Sequence, residues 1–138
     1  RRKTFNEAVE VYRRSTCIEW VQVPRKDTPG HVKVLDDDGG CASYLGKINW
    51  RINDLSLSTT CNQLGTMLHE MGHVLGMEHT HERPDRNTYV EVWTENIEKG
   101  FMDEFGLNKL QNTHGLPYDY LPMMHYTNWY FSSNGLFT

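Results

Sequence analysis

Between residues 64 and 75 the apolar side chains Leu64, Leu68, Met71 and Leu75 recur every three or four positions, the spacing of one buried helix face. Thr60-Cys61-Asn62-Gln63 stands just ahead and reads as a capping box for that helix. Thr4 to Ser15 predicts another helix, with Phe5, Ala8, Val9 and Tyr12 on the apolar side. Its basic residues Arg1, Arg2, Lys3, Arg13 and Arg14 then form a solvated face or terminus. Between the two helices the period falls to two. Cys17 to Val23 alternates and is stopped by Pro24, which predicts a strand. Arg25 to Gly30 is a loop, and His31 to Leu35 is a second strand. Cys41 to Ile48 and, after a turn at Asn53-Asp54, Leu55 to Ser58 complete the extended segments. Asp36-Asp37-Asp38-Gly39-Gly40 lacks EF-hand spacing and a distal glutamate, so it reads as a turn rather than a calcium loop. After residue 80 the pattern weakens. Thr80 to Asn87 and Asn108 to Pro117 read as loops, with weak helical spacing only from Glu95 to Phe105.

The helix over 64–75 carries chemistry as well as a core face. His69 and His73 are one turn apart, so both imidazoles leave the same side and can grip one metal ion. Glu70 sits where it can reach a water on that metal without ligating it, the H-E-x-x-H arrangement of zinc peptidases. A helix alone does not bring in His79, six residues beyond His73. Gly76 can end the helix at positive φ and let the chain return. Three neutral imidazoles and one water make the open four-coordinate zinc site of a hydrolase. The bland reading is a surface helix with two solvated histidines. A two-histidine, one-glutamate set would use Glu91 or Glu95 instead of His79. His31, His81, His114 and His125 are left outside the site, His81 as a surface loop residue and His125 as a positioning residue.

Composition narrows the class. The chain has 138 residues, enough for one domain with a core, and 38% hydrophobic content fits a folded protein. Net charge is −4 and no basic block is long enough for a nucleic-acid groove. No apolar run approaches the length of a transmembrane helix. Of three cysteines, Cys41 and Cys61 bracket the strand–turn–strand segment, where a disulfide would staple the hairpin ahead of the metal helix. Cys17 is then left over, which in a secreted protein points to a partner elsewhere; reduction of all three in a cytosolic protein is the alternative.

A second stretch, Tyr118-Asp119-Tyr120-Leu121-Pro122-Met123-Met124-His125-Tyr126, adds weight to the zinc motif. Together they resemble the astacin family of metzincin zinc endopeptidases. The long motif matches at His69, Glu70, His73, Gly76 and His79, followed by Arg83, Asp85 and Arg86. Met124-His125-Tyr126 matches the family's Met-turn, and similarity runs back through Gly40-Cys41, Ser43-Tyr44-Leu45-Gly46, Leu55-Ser56-Leu57 and Cys61. The resemblance implies an α+β, metzincin-type zincin: a twisted mixed sheet with two helices above a cleft and an irregular half below. Residues 1–138 would form one peptidase domain, about 1–80 with the zinc helix and about 81–138 with the Met-turn. It would be the central part of a catalytic domain, incomplete at both ends.

The resemblance further implies one catalytic Zn2+ on His69, His73 and His79. Glu70 would take a proton from the zinc-bound water and pass it to the leaving amine. Tyr126 would be a weak, switchable ligand that swings off to stabilise the oxyanion, and Met124 a hydrophobic floor. Ala42, Ser43 and Tyr44 would form the edge strand that pairs with substrate. Cys41–Cys61 would be one of the family's two disulfides, with Cys17 paired beyond Thr138. The expected function is secreted, zinc-dependent cleavage of internal peptide bonds in protein or peptide substrates, with no nucleic acid and no membrane segment. The alternative is an inactive zinc-binding or interaction module derived from a peptidase. Three positions depart from the family pattern. Thr80 stands where a glutamate is expected, Asn87 replaces the motif's final aspartate, and Pro122 replaces a serine.

Overall fold

In a computed structural model, residues 1–24, 29–37 and 40–138 are described. The loop expected at Arg25–Gly30 and the turn at Asp36–Gly40 therefore fall partly outside the described residues. The chain divides into two compact units, Arg1–Met77 and Glu78–Thr138.

The first unit holds both α-helices, α1 (Arg2–Ser15) and α2 (Leu64–Val74), and three strands, β1 (Val32–Leu35), β2 (Cys41–Ser43) and β3 (Asn53–Leu57). The sheet order is β1-β3-β2, with β1 parallel and β2 antiparallel to β3. Along β3 every second residue is buried, so Leu55 and Leu57 enter the core with Ala8 and Tyr12 of α1 and Met67, Met71 and Val74 of α2. The Tyr12 hydroxyl donates to the Leu68 carbonyl at 2.9 Å, fixing α1 on α2 while its ring stays buried. Arg13 and Arg14 both bond Glu10 on the exposed side of α1.

Several expectations shift. The buried stripe of α2 is Met67, Met71 and Val74 rather than Leu64, Leu68, Met71 and Leu75; Leu64 and Leu75 are 37% and 40% exposed. Positions i, i+4 and i+7 share a helix face as well as the expected set does, and contact with α1 and the sheet decides between them. No side chain caps α2 at its N-terminus, where Gln63 is the cap residue. Ser58, Thr60 and Cys61 instead bond one another in the turn before it. Asn53 opens β3 rather than a turn. Its amide donates to the Gly46 carbonyl and accepts from the Ile48 N–H, so a polar side chain is satisfied in a buried place. Cys17–Val23 joins no ladder among the described residues, although Ile18 and Trp20 pack on the core as the alternation implies. Alternation reports which side chains turn inward, whereas pairing needs a neighbour.

The end of α2 is a Schellman turn. Gly76 N–H donates to the His73 carbonyl (2.8 Å) and Met77 N–H to the Gly72 carbonyl (3.0 Å), with Gly76 at φ +93°. Gly46 N–H also donates to the His73 carbonyl at 2.7 Å, tying the segment after β2 to this turn. The second unit has no α-helix or ladder strand among the described residues. Short 3-10 turns at Thr80–Glu82, Arg86–Thr88, Thr94–Asn96 and Met102–Phe105 carry it, around buried Ile97, Phe105, Tyr118 and Met124. The helix expected over Glu95–Phe105 is broken because Ile97 is extended and Gly100 takes φ +98°.

Cys41 and Cys61 form a disulfide across a separation of 20 residues, joining β2 to the turn that leads into α2; Cys17 is exposed and free. Replacing both bridged cysteines by serine should cost about 3 kcal/mol, the loop-closure value for a ring of this size, read by chemical denaturation. Gly76→Ala should cost about 1–2 kcal/mol in the same measurement. The strain lies in the left-handed backbone, since an added Cβ would meet Gly46 Cα only at an ordinary 3.8 Å.

Candidate metal centre

Within the first unit, α2 presents His69 and His73 at i and i+4, and their Nε2 atoms converge to 3.0 Å with the rings nearly perpendicular. Two nitrogens each about 2.0–2.1 Å from a tetrahedral zinc would stand about 3.4 Å apart, so the pair fits such an ion after a small adjustment. The second nitrogen of His73 is already committed: Nδ1 lies 2.8 Å from the Met77 carbonyl, which can only accept. Nδ1 therefore carries the proton, and Nε2 keeps the lone pair that a metal needs. The carbonyl belongs to the Schellman turn, so the turn that ends α2 also sets the tautomer of His73.

Glu70, between these histidines, is 6% exposed. The Ser43 hydroxyl lies 3.1 Å from Glu70 Oε2 and 2.8 Å from the Glu70 backbone carbonyl, and its one proton is shared between them. β2 thus touches the carboxylate directly. Ala42 and Tyr44 are exposed, and Arg51 stacks over the Tyr44 ring at 4.2 Å. β2 lies at an edge of the sheet and pairs only with β3 among the described residues.

In the second unit, His79 immediately precedes the Thr80–Glu82 turn. Its Nδ1 lies 3.2 Å from Glu82 Oε2. Thr80 N–H donates to the Met124 carbonyl at 2.9 Å, which ties the His79 segment to the stretch around Met124, and Met124 itself is buried. Tyr126 packs beside His79, ring centroids 4.9 Å apart, and stacks on His81 at 3.9 Å. Its hydroxyl donates to Glu104 Oε2 at 3.3 Å. Burial first, and then the Glu104 carboxylate, hold the Tyr126 phenol pKa well above its ordinary value.

His81 is not a surface residue. It is 3% exposed; Nε2–H donates to the Glu104 carbonyl (3.0 Å) and Nδ1 accepts the Tyr126 N–H (3.4 Å). Burial pulls its pKa down to about 4, keeping it neutral. His79, His81 and Glu82 have ligand atoms within 4.8 Å of one another, but both His81 nitrogens are occupied by the backbone. His125 is committed in the same way, donating from Nδ1 to the Tyr126 carbonyl (2.7 Å) and accepting at Nε2 from the Tyr118 hydroxyl (2.8 Å).

The arginines of the R-x-D-R stretch are structural. Arg83 pairs with Asp85 through two parallel bonds of 2.9 and 2.8 Å and donates to the Leu116 and Pro117 carbonyls. Arg86, buried, donates to the His81 and Phe105 carbonyls. Sequence reasoning assigned no role to Glu82 or Glu104 and did not find the link from Ser43 to Glu70. The first two lie in segments without periodicity, and the third depends on how β2 meets α2.

The family model Astacin, described as a peptidase family, matches residues 1–138. Zinc metalloproteinase nas-7 of Caenorhabditis elegans is 37% identical over 97% of this chain, which spans 35% of that protein. Human Tolloid-like protein 1 is 32% identical over 99% of the chain, which spans 13% of it. The chain therefore spans about a third or less of the length of these curated relatives. Among solved structures, high choriolytic enzyme 1, a hatching enzyme zinc-protease from Oryzias latipes, superposes with a TM-score of 0.86 at 30% identity, covering 97% of this chain and 66% of that one. Myroilysin shares the fold, with a TM-score of 0.60 at 22% identity. The fold is α+β of the metzincin type, and the chain belongs to the astacin family of peptidases.

Proposed function

We propose that this chain carries the catalytic centre of a secreted zinc endopeptidase that cleaves internal bonds of protein or peptide substrates. The observation that carries the reading is the Nε2 pair of His69 and His73, with the His73 proton fixed on Nδ1 by the turn that ends α2. That turn directs the chain toward His79 three residues later, and His79 is the third ligand in this reading. Zinc held by the three imidazoles would polarise the scissile carbonyl and make a water nucleophilic near neutral pH.

Glu70 is the base that accepts a proton from the attacking water and returns it to the leaving amine nitrogen. The Ser43 hydroxyl, 3.1 Å from Oε2, orients the carboxylate. Ala42, Ser43 and Tyr44 at the open edge of β2 suit an extended peptide that adds a strand there. Tyr126 donates a hydrogen bond from its phenol to the developing oxyanion, for which a raised pKa keeps it protonated, and Met124 packs as an apolar floor. No helix among the described residues is long and apolar enough to cross a membrane.

Full-length protein should hydrolyse a general protein substrate, lose activity to a chelator and regain it with zinc. Glu70→Ala should bind one zinc while kcat falls about 10²–10⁴-fold. Cleavage at the wild-type rate by that variant would remove Glu70 from the mechanism, and zinc binding without cleavage by the wild type would favour the interaction module. Ser43→Ala removes a hydrogen bond to a charged group, a contact that contributes about 1.5–3 kcal/mol. Because its proton is shared with a backbone carbonyl, kcat/KM should drop about tenfold with zinc affinity unchanged.

A further inference from the structure

We infer that Glu82 is a positioning residue that orients His79 from behind and strengthens its bond to zinc; the inference rests on the zinc reading above. Glu82 Oε2 lies 3.2 Å from His79 Nδ1, across a single 3-10 turn in which Glu82 N–H also donates to the His79 carbonyl. A carboxylate can only accept, so the contact places the imidazole proton on Nδ1 and the lone pair on Nε2. His73 shows the same device with a backbone carbonyl as acceptor. At His79 the acceptor carries a full negative charge, which makes the imidazole a stronger donor to a cation.

The turn is anchored on both sides. The Glu82 carbonyl accepts the Asn108 N–H (2.7 Å), the Asn108 amide donates to Glu78 Oε1 (2.7 Å), and the Gln111 amide donates to the His79 carbonyl (3.3 Å). The backbone of the turn that carries both Glu82 and His79 is thus held in place. The competing arrangement, in which Glu82 and His81 are themselves ligands beside His79, is opposed by His81, whose nitrogens both serve the backbone in a buried place. Thr80 stands where the family resemblance expects a glutamate, and the carboxylate two residues on faces the ligand instead.

The test is zinc affinity of the full-length protein, by competition with a chromophoric chelator, together with the visible spectrum of the Co2+-substituted form. Glu82→Ala should weaken zinc binding about 10- to 100-fold and shift the Co2+ bands, with a stoichiometry of one and an unchanged melting temperature of the metal-free protein. Glu82→Gln keeps an acceptor oxygen without the charge and should fall between, while Glu82→Asp should recover part of the loss. Equal affinity in wild type and Glu82→Ala would overturn the inference and leave the zinc site standing. So would a loss that tracks a lowered metal-free melting temperature and is not recovered by aspartate. A wild-type protein that binds no zinc would instead overturn the underlying reading.

Discussion

An α-helix can offer two imidazoles to one ion from i and i+4, but it carries residue i+10 away along its axis. The end of α2 bears on that limit. For His79 to serve as the proposed third ligand, the helix has to stop one residue or two after His73, in a conformation that turns the chain rather than extending it. Gly76 meets the requirement because the left-handed backbone costs it nothing sterically. The same turn supplies the carbonyl that fixes the His73 tautomer and, through the His73 carbonyl, holds the segment containing Gly46. One local backbone event thereby sets the helix length, the tautomer of His73 and the seating of the segment after β2.

Polar side chains near the centre fall into two kinds. Some are spoken for by the backbone: His81 and His125 have both ring nitrogens engaged and serve as struts between loop segments. Others have one atom anchored and the other assigned to the proposed chemistry, as with His73 bonded to the Met77 carbonyl and Glu70 to the Ser43 hydroxyl. Proximity to the motif does not separate the kinds, since His81 is only two residues from His79. The hydrogen-bond partners do.

Much of the first unit was legible in the sequence. The two helices and the β1 and β3 segments follow from periodicity, because local patterns there coincide with tertiary burial, and the Cys41–Cys61 bridge is the pairing that the family resemblance implies. The face of α2 was misassigned because leucine and methionine occupy several faces of that helix, and only packing against α1 and the sheet selects Met67, Met71 and Val74. The second unit resisted because its order comes from contacts distant in sequence, such as Arg83 to Leu116 and Asn96 to Phe137, which leave no periodic trace. Spacing alone picks out His69, His73 and His79 as candidate metal ligands, whereas the contacts of Ser43 with Glu70 and of Glu82 with His79 leave no trace in the sequence.

Because the second unit lacks ladders and long helices among the described residues, its backbone polarity is quenched by side chains, with Arg83, Arg86, His81 and Asn96 each closing on carbonyls from other segments. Tolerance to change in such a region follows hydrogen-bond stoichiometry more than volume. A lysine for Arg86 or an aspartate for Asn96 preserves size and still leaves a carbonyl orphaned, while an exposed leucine such as Leu110 or Leu121 can drift freely. Selection acting on this half would thus preserve a wiring diagram of donors, and its apolar surface would diverge first.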